Sequence, residues 1–168
     1  SIAKQFAAKG YNIYMVTPDK DLGQIIDDNI FQYKPGKGKE EKSILGKAEI
    51  CEHYGIDTPS QVIDILTLWG DTADNVRGVN GVGEVSAKKL IGKYGSVENI
   101  YAHISELTPK MQEAFNLARD YIDQSKALVT IKTDIELNLT EEMKLFLNLW
   151  QTTKDKNGQC IFQITATI

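Results

Sequence analysis

The sequence predicts an α/β fold: the edge of a mostly parallel sheet with flanking helices, followed by a mainly helical subdomain of helix-hairpin-helix type. Three observations predict it. An alanine-rich N-terminal segment with helical patterning runs into the strand-like stretch Tyr11 to Thr17, and a helix feeding a strand is an α/β unit. From Thr58 onward, capped and apolar-periodic segments read as a cluster of short helices. Between two of them lies the glycine loop Gly78-Val79-Asn80-Gly81-Val82-Gly83, which suits a tight hairpin of helices.

Taken in order, Ser1 to Lys9 carries Ile2 and Phe6 in a helical pattern, and Gly10 stands where a C-capping glycine belongs. The chain starts without an initiator Met or a cap, which suggests a fragment cut inside or just before a helix. After the strand to Thr17 come Pro18, Asp19, Lys20 and Asp21, then a short helix expected from Leu22 to Ile26 and a second short strand from Ile30 to Tyr33. Lys34 to Lys47 reads as a loop bearing Lys34, Lys37, Lys39, Lys42 and Lys47, diluted by Glu40 and Glu41. Such a loop is solvated by default and is also a candidate for phosphate contact.

Lys47 to Tyr54 gives a short helix closed by Gly55. Thr58-Pro59-Ser60-Gln61 is a strong helix start, with a hydroxyl cap, proline at the first helical position and glutamine three beyond the cap. The helix that follows, with Val62, Ile63, Ile65, Leu66 and Trp69, is too apolar for a surface element and belongs in a core. Glu84 to Tyr94 is expected as a helix with Val85, Leu90 and Ile91 inward and Lys88 and Lys89 outward. Ser96 caps a short helix to Ile104, and Thr108-Pro109 starts a longer one whose buried stripe is Met111, Phe115, Ala118 and Ile122.

Composition narrows the function classes. A chain of 168 residues, 42% hydrophobic, is long enough for one ordinary core or for a small domain plus part of another. The formal charge of −4 argues against a protein held on DNA by a bulk positive field, so any nucleic-acid contact must be local. The two cysteines, Cys51 and Cys160, form no ligand or disulfide pattern. No apolar run approaches a membrane span and no signal peptide is visible, so a cytoplasmic location is the default.

The chemistry concentrates between Trp69 and Leu90. Asp71 and Asp74 lie three apart and would point the same way on one helical turn, and oxygen ligands of this kind suit a hard divalent cation. Asp71 would serve equally well as an N-cap with Asp74 simply solvated. Gly78, Gly81 and Gly83 free the backbone, so amides at the start of the next helix could hold a phosphate. A P-loop is excluded, because Glu84 stands where its lysine must be, and the dinucleotide pattern fails at Ser86. A helix-hairpin-helix turn remains, with Val79 and Val82 anchoring it and Lys88 or Lys89 adding a charge contact. Upstream, Asp19 and Asp21 follow a strand end, where ligands gather in open α/β sheets, and in extended geometry they would share a face. Asp21 could instead cap the helix after it.

Gly70-Asp71-Thr72-Ala73-Asp74-Asn75 and Gly78-Val79-Asn80-Gly81-Val82-Gly83-Glu84, with Thr17-Pro18-Asp19-Lys20-Asp21 upstream and Lys132-Thr133-Asp134 downstream, resemble the 5′ nuclease domain of bacterial DNA polymerase I and, more broadly, the flap endonuclease family. The likeness covers about residues 1 to 140. It implies a 5′-3′ exonuclease or flap endonuclease that cuts DNA phosphodiester bonds in replication and repair with two divalent ions, Mg²⁺ or Mn²⁺. By motif position Asp19, Asp21, Asp71 and Asp74 would be the metal ligands and so the catalytic residues. A helix-three-turn-helix around Gly78, Val79, Gly81, Val82 and Gly83, with Lys88 and Lys89, would hold duplex or flap DNA, with K⁺ as a possible ion on the loop carbonyls.

The resemblance divides the chain into 1–47, the C-terminal part of the nuclease core; 48–128, the helical DNA-binding subdomain; 129–146, a return segment; and an unassigned tail, 147–168. In that tail Lys156-Asn157-Gly158 reads as a turn before a strand-like Cys160 to Ile168. The family's first acidic ligands, including a Glu-x-Asp-Asp run, are expected N-terminal to Ser1, so about half of the metal shell is present and the fragment alone is expected to bind duplex DNA without cutting it. A polymerase domain is expected in the full-length bacterial protein, which would be a nucleoid-associated monomer without membrane contact. The alternative is a non-catalytic helix-hairpin-helix module that only binds DNA, for which the four aspartates would have no use.

Overall fold

The computed structural model describes residues 1–34 and 43–137. Lys37, Lys39 and Lys42 of the expected charged loop, the tail 147–168 and the turn and strand expected within it lie outside the described residues. The chain divides into two compact units: residues 1–20, 26–34, 43–47 and 132–137 of the described chain form one, and residues 21–25 with 48–131 form the other.

In the first unit, α1 (Ile2–Ala7) packs against strands β1 (Ile13–Val16) and β2 (Ile30–Lys34). Ile13 and Met15 of β1 and Ile30 and Gln32 of β2 face the core, following the two-residue alternation of a half-buried sheet. On the other face the register partners Tyr14 and Phe31 stack, with ring centroids 5.1 Å apart. The stretch after Lys132 returns along α1: Ser1 Oγ accepts from the Ile135 amide at 3.0 Å, and Gln5 Nε2 donates to the Ile135 carbonyl at 3.2 Å.

The sheet is mixed, not mostly parallel. β1 and β2 pair in parallel, but a third strand, β3 (Ser43–Leu45), which sequence patterning missed inside the charged loop, pairs antiparallel to β2. The reason is chain length: the link from Lys34 to Ser43 is shorter than the dozen or so residues that a parallel crossover needs, so the strands meet as a hairpin.

The second unit is helical. α2 (Lys47–Tyr54) leads to a short 3₁₀ turn, Pro59–Gln61, and then to α3 (Val62–Trp69). Gln61 Oε1 accepts the amide of Thr58 at 2.9 Å, the reciprocal half of the expected cap. Val62, Ile65, Leu66 and Leu68 of α3 are fully buried, so this helix is the core of the unit, packed by α4 (Glu84–Tyr94), α5 (Val97–Ala102) and α7 (Ile122–Val129). Ser96 Oγ accepts the Asn99 amide at the start of α5, and Thr108 Oγ1 accepts the Met111 amide at the start of α6 (Pro109–Ala118).

Three expectations change here. The segment after Asp19 is a 3₁₀ turn, Lys20–Ile25, rather than a helix from Leu22 to Ile26. Val85 is 67% exposed, because α4 buries Ala87 and Ile91, four apart, and a residue two before Ala87 lies on the opposite side. The long helix from Thr108 is two helices: the chain leaves helical geometry at Tyr121 (φ −137°, ψ −7°), whose ring and hydroxyl are drawn to Arg77 and Gly78. Among the described residues no helix is long and apolar enough to cross a membrane.

Candidate metal centre and glycine loop

Asp71 follows α3 directly, and the rigidity of that helix sets where it stands. Gly70 and Gly78 make this possible, because their backbones touch: a Cβ on Gly70 would lie 2.5 Å from the Gly78 nitrogen, and one on Gly78 would collide with the Trp69 carbonyl. Asp71 and Val76 exchange backbone hydrogen bonds of 2.9 and 2.7 Å, closing a tight turn. Asp71 and Asp74 therefore share this turn, not one turn of α-helix as spacing suggested. The cause is local: Asp71 Oδ1 accepts the amides of Ala73 at 2.9 Å and Asp74 at 3.4 Å, an arrangement in which a short carboxylate competes with helix formation.

Asp21 comes from the 3₁₀ turn and is held from both sides of its segment. Gly23 packs against Ile50 and Val62. Gln24, 7% exposed, donates from Nε2 to the Val129 carbonyl at 2.9 Å and accepts the Ile131 amide on Oε1 at 2.9 Å. One buried amide thus satisfies two backbone groups, one on the last residue of α7 and one just past it.

The result is one acidic group: carboxylate oxygens of Asp21, Asp71 and Asp74 lie within 4.8 Å of one another. Asp71 is buried and Asp74 exposed. Oxygen ligands around a hard divalent ion at about 2.0–2.6 Å are themselves about 3–5 Å apart, so this donor set fits such an ion. Asp19 belongs to the other unit, and because the segment after it is not extended, its alternation with Asp21 does not apply. There, Thr17 Oγ1 accepts the Asp19 amide at 3.1 Å, and Gln32, 1% exposed, donates from Nε2 to the carbonyls of Thr17 at 3.1 Å and Asp19 at 2.7 Å.

In the glycine loop the backbone groups are divided between packing and solvent. Val79 and Val82 are buried, the Val79 amide donates to the Leu68 carbonyl at 2.8 Å, and Tyr121 donates its hydroxyl to the Gly78 carbonyl at 3.1 Å. Gly81 (φ +77°) and Gly83 are exposed, with open space where a Cβ would stand, and among the described residues their amides have no acceptor. Gly83 is the N-cap of α4, so the partial positive end of that helix lies behind it. Lys88 pairs with Glu84 at 2.7 Å and leans over the Tyr54 ring at 4.8 Å, whereas Lys89 is exposed.

Sequence reading missed Gln24, Gln32, Asp64 and Lys126. Asp64 of α3 is 8% exposed; it accepts the Val97 amide at 3.2 Å and Lys126 Nζ at 2.8 Å, and Lys126 also reaches Glu98 at 2.7 Å. Burial works against the Lys126 cation, but its bonds to Asp64 and Glu98 outweigh this and raise its pKa, while the Lys126 bond pulls Glu98 down. A signal existed for two of the four: Gln32 is polar at an inward strand position, and Asp64 interrupts an otherwise apolar helix.

The family described as 5′-3′ exonuclease, C-terminal SAM fold, matches residues 57–152. A 5′-3′ exonuclease of Aquifex aeolicus is 34% identical over 142 residues, 84% of this chain and 46% of the relative. DNA polymerase I of Bacillus subtilis is 34% identical over 141 residues, 83% of this chain and 16% of the relative. In fold, the chain is similar to the zinc-bound T5 5′-exonuclease, with a TM-score of 0.63 at 20% identity over 76% of this chain and 46% of that one. The chain thus spans less than half the length of each of these proteins.

Proposed function

We propose a function from one premise: this chain belongs to the 5′-3′ exonuclease family, in its C-terminal SAM-fold part. On this reading it is a portion of a structure-specific 5′-3′ exonuclease or flap endonuclease of DNA polymerase I type, which hydrolyses DNA phosphodiester bonds in replication and repair. The observation that carries the proposal is the convergence of Asp21, Asp71 and Asp74 within 4.8 Å on the turn that precedes an amide-bearing glycine loop, since pure DNA binding has no use for three carboxylates in one place. The T5 exonuclease of similar fold is described with divalent metal ions bound, in line with this reading.

Asp21, Asp71 and Asp74 would hold Mg²⁺ or Mn²⁺, which when bound supplies activation of water and stabilisation of the leaving oxygen. The chain's own part is orientation. The Ala73 and Asp74 amides fix the Asp71 carboxylate, and Gln24 fixes the segment of Asp21. Val79, Val82 and Gly78 shape a helix-hairpin-helix turn within a DNA-binding subdomain of about residues 48–128, leaving Gly81 and Gly83 to face a phosphate, with Lys89 and Lys88 nearby in sequence and K⁺ a candidate ion on the loop. Such contacts read backbone shape and not bases. Three carboxylates are few for two ions, so the chain alone is proposed to bind duplex or flap DNA without cutting it, acting within a monomeric, cytoplasmic, nucleoid-associated bacterial protein that also carries a polymerase domain.

The test is cleavage of a 5′-flap DNA with Mg²⁺ or Mn²⁺ by a folded chimera in which the preceding part of the Aquifex 5′-3′ exonuclease completes this chain, and by its Asp71→Asn, Asp74→Asn form. Cleavage by the first and not the second supports the nuclease reading. A folded chimera that binds duplex DNA and never cuts with either ion leaves a non-catalytic binding module.

A further inference from the structure

Between the acidic turn and the glycine loop stands one residue that neither motif uses, Arg77. Its main chain is fixed on both sides: Val76 is bonded to Asp71, the Arg77 carbonyl accepts Ser125 Oγ at 2.7 Å, and the Gly78 carbonyl accepts the Tyr121 hydroxyl at 3.1 Å. Its side chain is exposed, yet not loose, because the guanidinium carbon sits 4.0 Å from the centre of the Tyr121 ring. Tyr121 thus grips this junction twice, by its hydroxyl on the main chain of Gly78 and by its ring under the side chain of Arg77.

The charge is unspent. In this unit Lys88 is paired with Glu84, Lys93 with Glu106, and Lys126 with Asp64 and Glu98, but among the described residues Arg77 forms no ion pair and its guanidinium donates no hydrogen bond. Stacking occupies the face of a guanidinium and leaves its in-plane N–H groups directed outward, in the fork geometry that matches two oxygens of a phosphate. Holding the group on a ring also removes part of the entropy that a long side chain loses on binding. In a chain of net charge −4, where contact with a polyanion must be local, an uncompensated arginine held on a ring directly before the glycine loop suits such a contact; Arg119, the other arginine held on a ring, over Tyr101, stands on another segment and donates from Nε to Asn116 Oδ1.

We propose that Arg77 is a phosphate-binding residue of the nucleic-acid face of this chain, a clamp on the DNA backbone pre-set by Tyr121. This rests on the reading of the chain as a DNA-binding part of a nuclease and adds to it a phosphate ligand that the glycine loop and its lysines do not provide. The interaction is independent of sequence, because a phosphate carries no base identity.

The experiment is fluorescence anisotropy of a labelled duplex with the whole chain at several KCl concentrations, for the wild type, Arg77→Gln, Arg77→Lys and Tyr121→Leu, each with a melting curve. Arg77→Gln is expected to raise Kd about three- to tenfold and to shallow the slope of log K against log salt by about 0.9, the value for one phosphate no longer neutralised. Arg77→Lys keeps the slope and gives up part of the affinity, and so does Tyr121→Leu, which leaves the charge but removes its support. Arg77→Gln with the affinity and slope of the wild type overturns the proposal, and so does a variant that melts lower but binds with an unchanged slope. A wild-type chain that binds no duplex overturns both the proposal and the DNA-binding reading beneath it.

Discussion

Gly70 and Gly78 lie back to back: a Cβ built on Gly78 would stand 2.6 Å from the Gly70 nitrogen. The turn carrying Asp71 and Asp74 is therefore closed at its base by a backbone contact that no side chain can enter. Gly78→Ala meets main chain, which cannot rotate away, and is expected to cost about 3 kcal/mol or more in urea unfolding. Gly83→Ala, with open space around its Cβ, should stay within about 0.5 kcal/mol of the wild type and yet, on the proposed DNA-binding reading, weaken duplex binding by setting a methyl where a phosphate would approach. Equal stability of the two variants would contradict this division of the glycines.

Gln24 is the second support. Gln24→Ala leaves the Val129 carbonyl and the Ile131 amide without their partner, an expected loss of about 2–3 kcal/mol of stability in urea unfolding. Because Asp21 sits on the same short 3₁₀ turn, the variant should also bind Mn²⁺ more weakly under conditions where it remains folded. Unchanged Mn²⁺ binding would show that Gln24 only packs.

The ion cluster on α3 predicts a pH profile. Glu98 is held below its ordinary 4.5 chiefly by its hydrogen bond to Lys126, so its contribution is present above 4.5 and fades as pH falls through the lowered value. Lys126 is raised above its ordinary 10.5; its contribution is complete below that value and is lost as pH rises through the raised one. Glu98 is the nearer partner, at 2.7 Å against 2.8 Å for Asp64, but its side chain is 66% exposed against 11%, and exposed pairs contribute little. Lys126→Met, which strands the Asp64 carboxylate, should therefore cost about 2–3 kcal/mol near neutral pH. Glu98→Gln should cost well under 1 kcal/mol and soften only the acid limb, as read from melting temperature against pH.

Much of this architecture is legible in local chemistry. Thr58, Pro59 and Gln61 announce α3, and its unbroken apolar content places it in the core. Ser96 and Thr108 mark the helix starts that carry their side-chain caps. What the sequence hides is what depends on distant partners. The break at Tyr121 comes from contacts with Arg77 and Gly78, and the roles of Gln24 and Gln32 lie in backbone groups that no local pattern names. β3 has three residues, too few for its alternation to stand out. The acidic residues were readable as candidates, but the company each keeps was not: Asp71 and Asp74 meet on a hydrogen-bonded turn, and Asp21 joins them from a 3₁₀ segment.

The most direct test of the metal centre is an electron paramagnetic resonance titration of the chain with Mn²⁺, comparing the wild type with a variant combining Asp21→Asn, Asp71→Asn and Asp74→Asn. The predicted result is a saturable site in the wild type that the variant lacks. A melting curve at tenfold excess over Kd should show a matching gain of about 1.4 kcal/mol in the wild type only. Equal Mn²⁺ binding by the two folded proteins would contradict the assignment of these three carboxylates as a metal centre.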